Sequence, residues 1–172
     1  MSAGGSATNN RRFGLVATGG TFDELHIGHL ALLTKAFEVG DKVIIGISSD
    51  EFASRVKNKK ILRHTYEERV KNLRDTIEKR FGHVNYTIAK LDNEFGPTVT
   101  YGLVDALVAS SETACKGEDI NNIRRTNRMK PISIVAVNIL KAEDGGPISS
   151  TRIRSGEIDA SGKILSTTTK SK

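Results

Sequence analysis

Two short stretches carry the side chains best suited to chemistry. The first, "TGGTFDELHIGH" (residues 18–29), follows the apolar run "FGLVA" and precedes the apolar-periodic run "LALLTKAF". Gly19 and Gly20 lack a Cβ, so the backbone there can turn sharply and approach a ligand closely. A helix starting near Gly28 aims free N–H groups and a positive dipole end into the same space, which makes an anion site. His26 and His29 stand at i and i+3, on neighbouring positions of the first turn. Both can donate hydrogen bonds to phosphate oxygens without being permanent cations. The second stretch, "ISSTRIRSGEI" (residues 148–158), offers Ser149 or Ser150 as a helix N-cap.

Other chemistries fit less well. The first stretch lacks the lysine of a Walker A loop and the glycine spacing of a dinucleotide fingerprint. Zinc could be held by His26 and His29 with Asp23 nearby, but the H-E-x-x-H spacing is absent and no further ligand is obvious. Cys115 is the only cysteine, so no intramolecular disulfide and no cysteine-based zinc site can form. No motif activates it, and an incidental or ligand-lining thiol is expected.

The elements that must position these residues alternate between strand and helix patterns. Strands are expected over residues 13–18, 42–48, 84–91, 104–110 and 132–139. A helix is expected over 28–37, from the spacing of Leu30, Leu33, Ala36 and Phe37. Another opens at Thr65, where Thr65 and Glu68 form a capping box. Tyr66, Val70, Leu73, Ile77 and Phe81 give it one apolar face, and Gly82 closes it. "GEDINNIRRTNR" reads as helical and ends by Pro131, whereas "SRVKNKKILRH" and "NEFGPT" read as loops and Gly156 as the stop of a short last helix. The fold class is α/β: a single domain with a Rossmann-like, doubly wound, five-stranded parallel sheet. Ligands of such sheets bind beyond the carboxyl ends of strands, where strand order reverses. The histidine stretch leaves the end of the first strand and therefore lies there.

At 172 residues the chain is long enough for one domain with a substantial core. The domain is expected over 13–162, with a disordered leader (1–12) and tail (163–172). Formal net charge is +6, but the basic residues are spread along the chain, and a phosphorylated substrate needs cations too. There is no tryptophan and aromatics are 5%, which disfavours a base-stacking platform. No segment approaches the ~20 apolar residues of a membrane span. "RRFGLVA" is too short in its apolar part for a signal sequence. Neither nucleic acid nor membrane is expected as a partner, and a cytoplasmic location is expected.

The two stretches together resemble the signatures of the nucleotidyltransferase superfamily, which also contains the class I aminoacyl-tRNA synthetases. "GTFDELHIGH" is similar to its T/HxGH motif and "ISSTRIR" to its second, serine-rich signature. Over residues 13–159 the chain resembles phosphopantetheine adenylyltransferases of the archaeal and eukaryotic type. The distinctive parts are "GGTFDELHIGH", "KKILRHTYEERV", "SSETACKGEDINNIRR" and "AEDGGPISSTRIRSGEID". The resemblance implies transfer of AMP from ATP to 4′-phosphopantetheine, giving dephospho-coenzyme A and pyrophosphate in coenzyme A synthesis, with Mg2+ on the triphosphate. Such a reaction needs no serine or cysteine nucleophile, because the acceptor phosphate is one. It needs donors and cations that hold two polyanions in line and stabilise a pentacoordinate phosphorus.

By the same resemblance Thr21 aligns the acceptor phosphate and His29 stabilises charge on the α-phosphate. Gly20, Phe22 and His26 help to line the ATP phosphates; Asp23 belongs to the motif and can cap the turn. Lys59, with Lys60 one residue away, grips both phosphates, and Lys57 belongs to the same run. Ser149, Ser150 and Thr151 hold the β- and γ-phosphates, with Arg152 as their charge partner and Arg154 facing elsewhere. Bacterial relatives carry an "IRG" arginine where this chain reads "SSET"; Lys116, Asn121 and Arg124 are the expected replacements at the substrate. Rival readings are a nucleotidyltransferase acting on FMN, nicotinamide mononucleotide or glycerol phosphate, a basic RNA-binding module, and a silent nucleotide sensor.

Overall fold

Five parallel strands form one sheet in the order β3-β2-β1-β4-β5 in the computed structural model, which describes residues 12–56 and 62–165. The strands are β1 (Phe13–Gly20), β2 (Gly40–Ser48), β3 (Tyr86–Leu91), β4 (Ala106–Ser110) and β5 (Ser133–Val137). Among the helices are α1 (Ile27–Val39), α2 (Asp50–Val56), α3 (Tyr66–Phe81), α4 (Pro97–Thr100), α5 (Ser111–Ala114), α6 (Gly117–Thr126) and α7 (Ser150–Arg154). All five expected strands are present. Three short helices, α2, α4 and α5, were not expected from the sequence.

Alternation along the strands sorts the core onto two faces. Val16, Val43, Ile45, Ile47 and Val108 pack under α1 and α3 with Leu33, Ala36, Leu73 and Ile77. Ala17 faces the other way, with Val104, Ile120 and Ile132. Burial on both faces is why "KVIIGIS" reads as a continuous apolar run. The expected capping box of α3 is formed, with Glu68 N–H donating to Thr65 Oγ1 and Thr65 N–H to Glu68 Oε2. A small third cluster of Ala142, Ile148 and Ile158 packs against Ile27 and Ile153, docking the C-terminal segment onto α1.

Strand order reverses between β1 and β4, the place anticipated for a ligand. Residues 163–165, expected to begin the tail, are bonded into the fold: Ile164 N–H donates to Glu143 Oε2 and Leu165 N–H to Glu157 O. The leader, apart from Arg12, and the rest of the tail lie outside the described residues. Among the described residues no helix is long and apolar enough to cross a membrane.

Candidate active site

The histidine turn is held from three directions. Phe22, at its centre, has a φ of 54° although it is not glycine, a conformation that L side chains with a Cβ avoid. Its ring is buried and packs against His29, with centroids 4.9 Å apart. His26 is the N-cap of α1: Gly28 N–H donates to its Nδ1 at 3.1 Å. That bond leaves the proton of the neutral ring on Nε2, so His26 presents an N–H donor at its other edge. The His26 and His29 rings stack with centroids 3.9 Å apart. The Nδ1 edge of His29 is buried.

Asp23 ties the turn to two distant segments. Its side chain is completely buried. It accepts from the backbone N–H groups of Arg63 and His64, and from Arg154 Nη1 at 2.6 Å. Burial pushes this carboxyl up, but the hydrogen bonds from Arg63, His64 and Arg154 outweigh it and hold the group below the usual aspartate range. Asp23 was expected to cap its own turn; the amides it accepts from are instead 40 and 41 residues away. Arg63 also pairs with Glu24 at 2.9 Å. Lys57, Lys59 and Lys60 lie outside the described residues; Arg63, just downstream of them, is fixed at the histidine turn.

The serine-rich segment meets the same turn. Ser149 is the N-cap of α7, its Oγ accepting from Arg152 N–H. Ser150 is buried, and its hydroxyl donates to the Glu24 carbonyl at 3.2 Å. Ile27 N–H donates to Ala160 O. The serine-rich segment and the histidine turn are thereby joined to each other.

The two arginines of this segment turn to different partners. Arg152 is drawn back into ion pairs with Asp144 and Glu157, and donates to the Pro147 carbonyl. Arg154 instead reaches Asp23 and donates to Thr151 Oγ1. Arg152, placed as the phosphate partner, is occupied by acidic neighbours on its own segment.

Beside the turn lies a cavity of about 240 Å³ at the carboxyl ends of β1, β2 and β4. Its floor is made by Gly19 and Gly46, which face each other across β1 and β2. A Cβ on Gly19 would come within 2.9 Å of the Gly46 carbonyl, and one on Gly46 within 2.7 Å of Leu91 Cδ1. Thr18, Ser48, Ser110 and Thr113 add hydroxyls; Leu107, Phe95 and Ile120 add apolar surface. Ser110 and Thr113, whose hydroxyls are 3.1 Å apart, stand in the "SSET" segment where bacterial relatives are expected to carry arginine. Lys116 lines the cavity and pairs with Glu94 on the opposite wall.

Asn121 and Arg124 are not at this cavity. The Asn121 amide bridges the Ile132 N–H and carbonyl. Arg124 is completely buried, its guanidinium donating to the carbonyls of Thr98, Tyr101, Gly102, Val104 and Lys130. Burial pulls its pKa down, partly offset by Asp105. Both were expected at the substrate; both are instead braces between α6 and the loops around it.

Comparison with known proteins now bears on this geometry. Residues 17–156 match the family described as Cytidylyltransferase-like. A phosphopantetheine adenylyltransferase of Methanothermobacter thermautotrophicus is 43% identical over 155 residues, covering 90% of this chain and 92% of the relative. That of Methanosarcina acetivorans is 46% identical over 152 residues, covering 87% and 94%. The chain belongs to the cytidylyltransferase-like family, among its phosphopantetheine adenylyltransferases. A solved structure from Archaeoglobus fulgidus, described as a protein with unknown function, superposes with a TM-score of 0.64 at 30% identity, covering 78% of this chain and 98% of that one. The tyrosyl-tRNA synthetase of the same organism shares the fold, with a TM-score of 0.60 at 13% identity, covering 83% of this chain and 60% of that one.

Against this family background one residue stands out that was not among those expected at the site. Arg69, on α3, is completely buried and donates from Nη1 to the Thr21 carbonyl and from Nη2 to Asp50 Oδ1, each at 2.6 Å. A signal for it exists in the sequence: Arg69 lies three residues after Tyr66 and four before Leu73, so a cation occupies the apolar stripe of α3.

Proposed function

We propose that this chain transfers AMP from ATP to 4′-phosphopantetheine, producing dephospho-coenzyme A and pyrophosphate. An oxygen of the acceptor phosphate attacks the α-phosphorus; the new P–O bond forms as the bond to the pyrophosphate leaving group breaks. The observation that carries this reading is the meeting of the two signature segments at one turn, through Ser150 on the Glu24 carbonyl and Arg154 on Asp23, beside a cavity at the strand-order reversal.

In this reading Thr21 aligns the acceptor phosphate. His29, through Nε2, stabilises charge developing on the α-phosphate, and His26 adds an N–H donor from the same helical turn. Ser149, Ser150 and Thr151 face the triphosphate, with Lys59 or Lys60 supplying cationic charge. The cavity takes the acceptor's arm, whose amides meet the hydroxyls of its lining and whose methyl groups meet Leu107 and Ile120. Among the described residues no group of three or more His, Cys, Asp or Glu is placed to hold a metal ion. Magnesium enters this proposal on the triphosphate, whose own oxygens ligate it and whose charge it offsets.

The test is pyrophosphate release on adding ATP with a panel of acceptors: 4′-phosphopantetheine, FMN, nicotinamide mononucleotide and glycerol phosphate. Release is expected with the first. Release confined to one of the others would replace the acceptor, and none with any would remove the reading.

A further inference from the structure

We propose that Arg69 is a positioning residue for the transfer reaction, setting the orientation of Thr21 by gripping its carbonyl. The inference rests on the adenylyl-transfer reading given above. Its ground is a linkage among three segments: Arg69 on α3 bridges the Thr21 carbonyl of the β1–α1 turn and the Asp50 carboxylate that opens α2. The guanidinium has no exposure, so it cannot swing into solvent. It also lies 5.8 Å from the centroid of the Tyr66 ring, and Tyr66 N–H donates to the other oxygen of Asp50. The planar fork is thus fixed on both prongs.

The turn needs such a restraint. Phe22 follows Thr21 directly and sits at φ 54°, where a residue with a Cβ persists only if its surroundings force it. No described peptide is cis, so holding the Thr21 carbonyl fixes the plane of the Thr21–Phe22 peptide and both flanking dihedrals. The Thr21 side chain then leaves the backbone in one direction. Stability alone is a poor reason for this arginine. A buried cation is costly to desolvate, its Nε has no hydrogen-bond partner among the described residues, and an apolar side chain of similar volume would pack there. What an apolar residue cannot do is hold a carbonyl.

The test is a double-mutant cycle on the full chain. Arg69→Lys keeps the charge but replaces the two-pronged fork by a single point donor. Its kcat is expected to fall at least about tenfold, with KM for ATP changed less than about twofold, as for a misaligned reactant. If the arginine acts through Thr21, the same change in a Thr21→Val background lowers kcat by less than about twofold, because sites acting as one unit are not additive. An equal loss in both backgrounds, or wild-type kcat in Arg69→Lys, overturns the proposal. Circular dichroism reports whether the variant folds. If it does not, Asp50→Asn, which loosens the second prong, takes its place in the same cycle: a loss confined to the Thr21 background supports the proposal, and an equal loss in both, or none, overturns it. A wild-type chain that uses another acceptor but not 4′-phosphopantetheine refutes the proposed function alone; the Arg69 cycle is then run with that acceptor.

Discussion

His26 and His29 stack on each other within one helical turn, yet their hydrogen bonding divides their work. His26 caps α1 through Nδ1, so part of it is structural whatever it binds. His29 makes no cap, and in the proposed reaction it acts through Nε2. His29→Ala is therefore expected to lower turnover by at least ~100-fold in a pyrophosphate-release assay, the scale for losing one transition-state donor. Spacing alone marked both histidines. It could not separate Arg152 from Arg154, because a five-residue helix has no long face that declares which side chain points where. The acidic residues that capture Arg152, Asp144 and Glu157, were visible only as loop residues; that they close on it depends on the turn at 144–147.

At the level of elements, long periodic segments were readable and short ones were not. The apolar face of α3 and its capping box identify that helix by themselves. The helices α4 and α5 have four residues each, too few to establish a period, and α2 has seven. Asn121 and Arg124 illustrate a different limit: a polar residue on an amphipathic helix looks the same in sequence whether it faces a ligand or braces a loop. Arg124→Met should cost about 3 kcal/mol of stability in urea unfolding, since five carbonyls lose a charged donor. Asp23 joins the β1–α1 turn, the start of α3 and the end of α7, and its carboxyl is held below the usual range. The stabilisation it provides is complete above the unfolded-state value of about 3.9 and is lost as pH falls through the lower folded-state value. Comparing unfolding free energies of the wild type and Asp23→Asn, the gap should be constant near neutral pH and close below about pH 4.

For the whole molecule, the strand order concentrates everything at one end of the sheet. Alternating strands and helices were enough to place the histidine stretch at the order reversal, but not to reveal the cavity. That space exists because glycines face each other on adjacent strands, a pairing that depends on register and so emerges only in three dimensions. Gly46→Ala puts a methyl group against Leu91 at the cavity floor. Steady-state kinetics should show an acceptor KM raised about tenfold or more, with KM for ATP far less affected, the usual sensitivity of a pocket to one added methyl group.

The bonds from Ser150 to the Glu24 carbonyl and from Arg154 to Asp23 span 126 and 131 residues. Closing loops of that length is among the slower events available to a folding chain. Competence should therefore arrive late: a nascent chain could complete all five strands on the ribosome and still be inert until its final helical turn docks. A polypeptide cut after β5 would retain the histidines and lose the partner that completes their site.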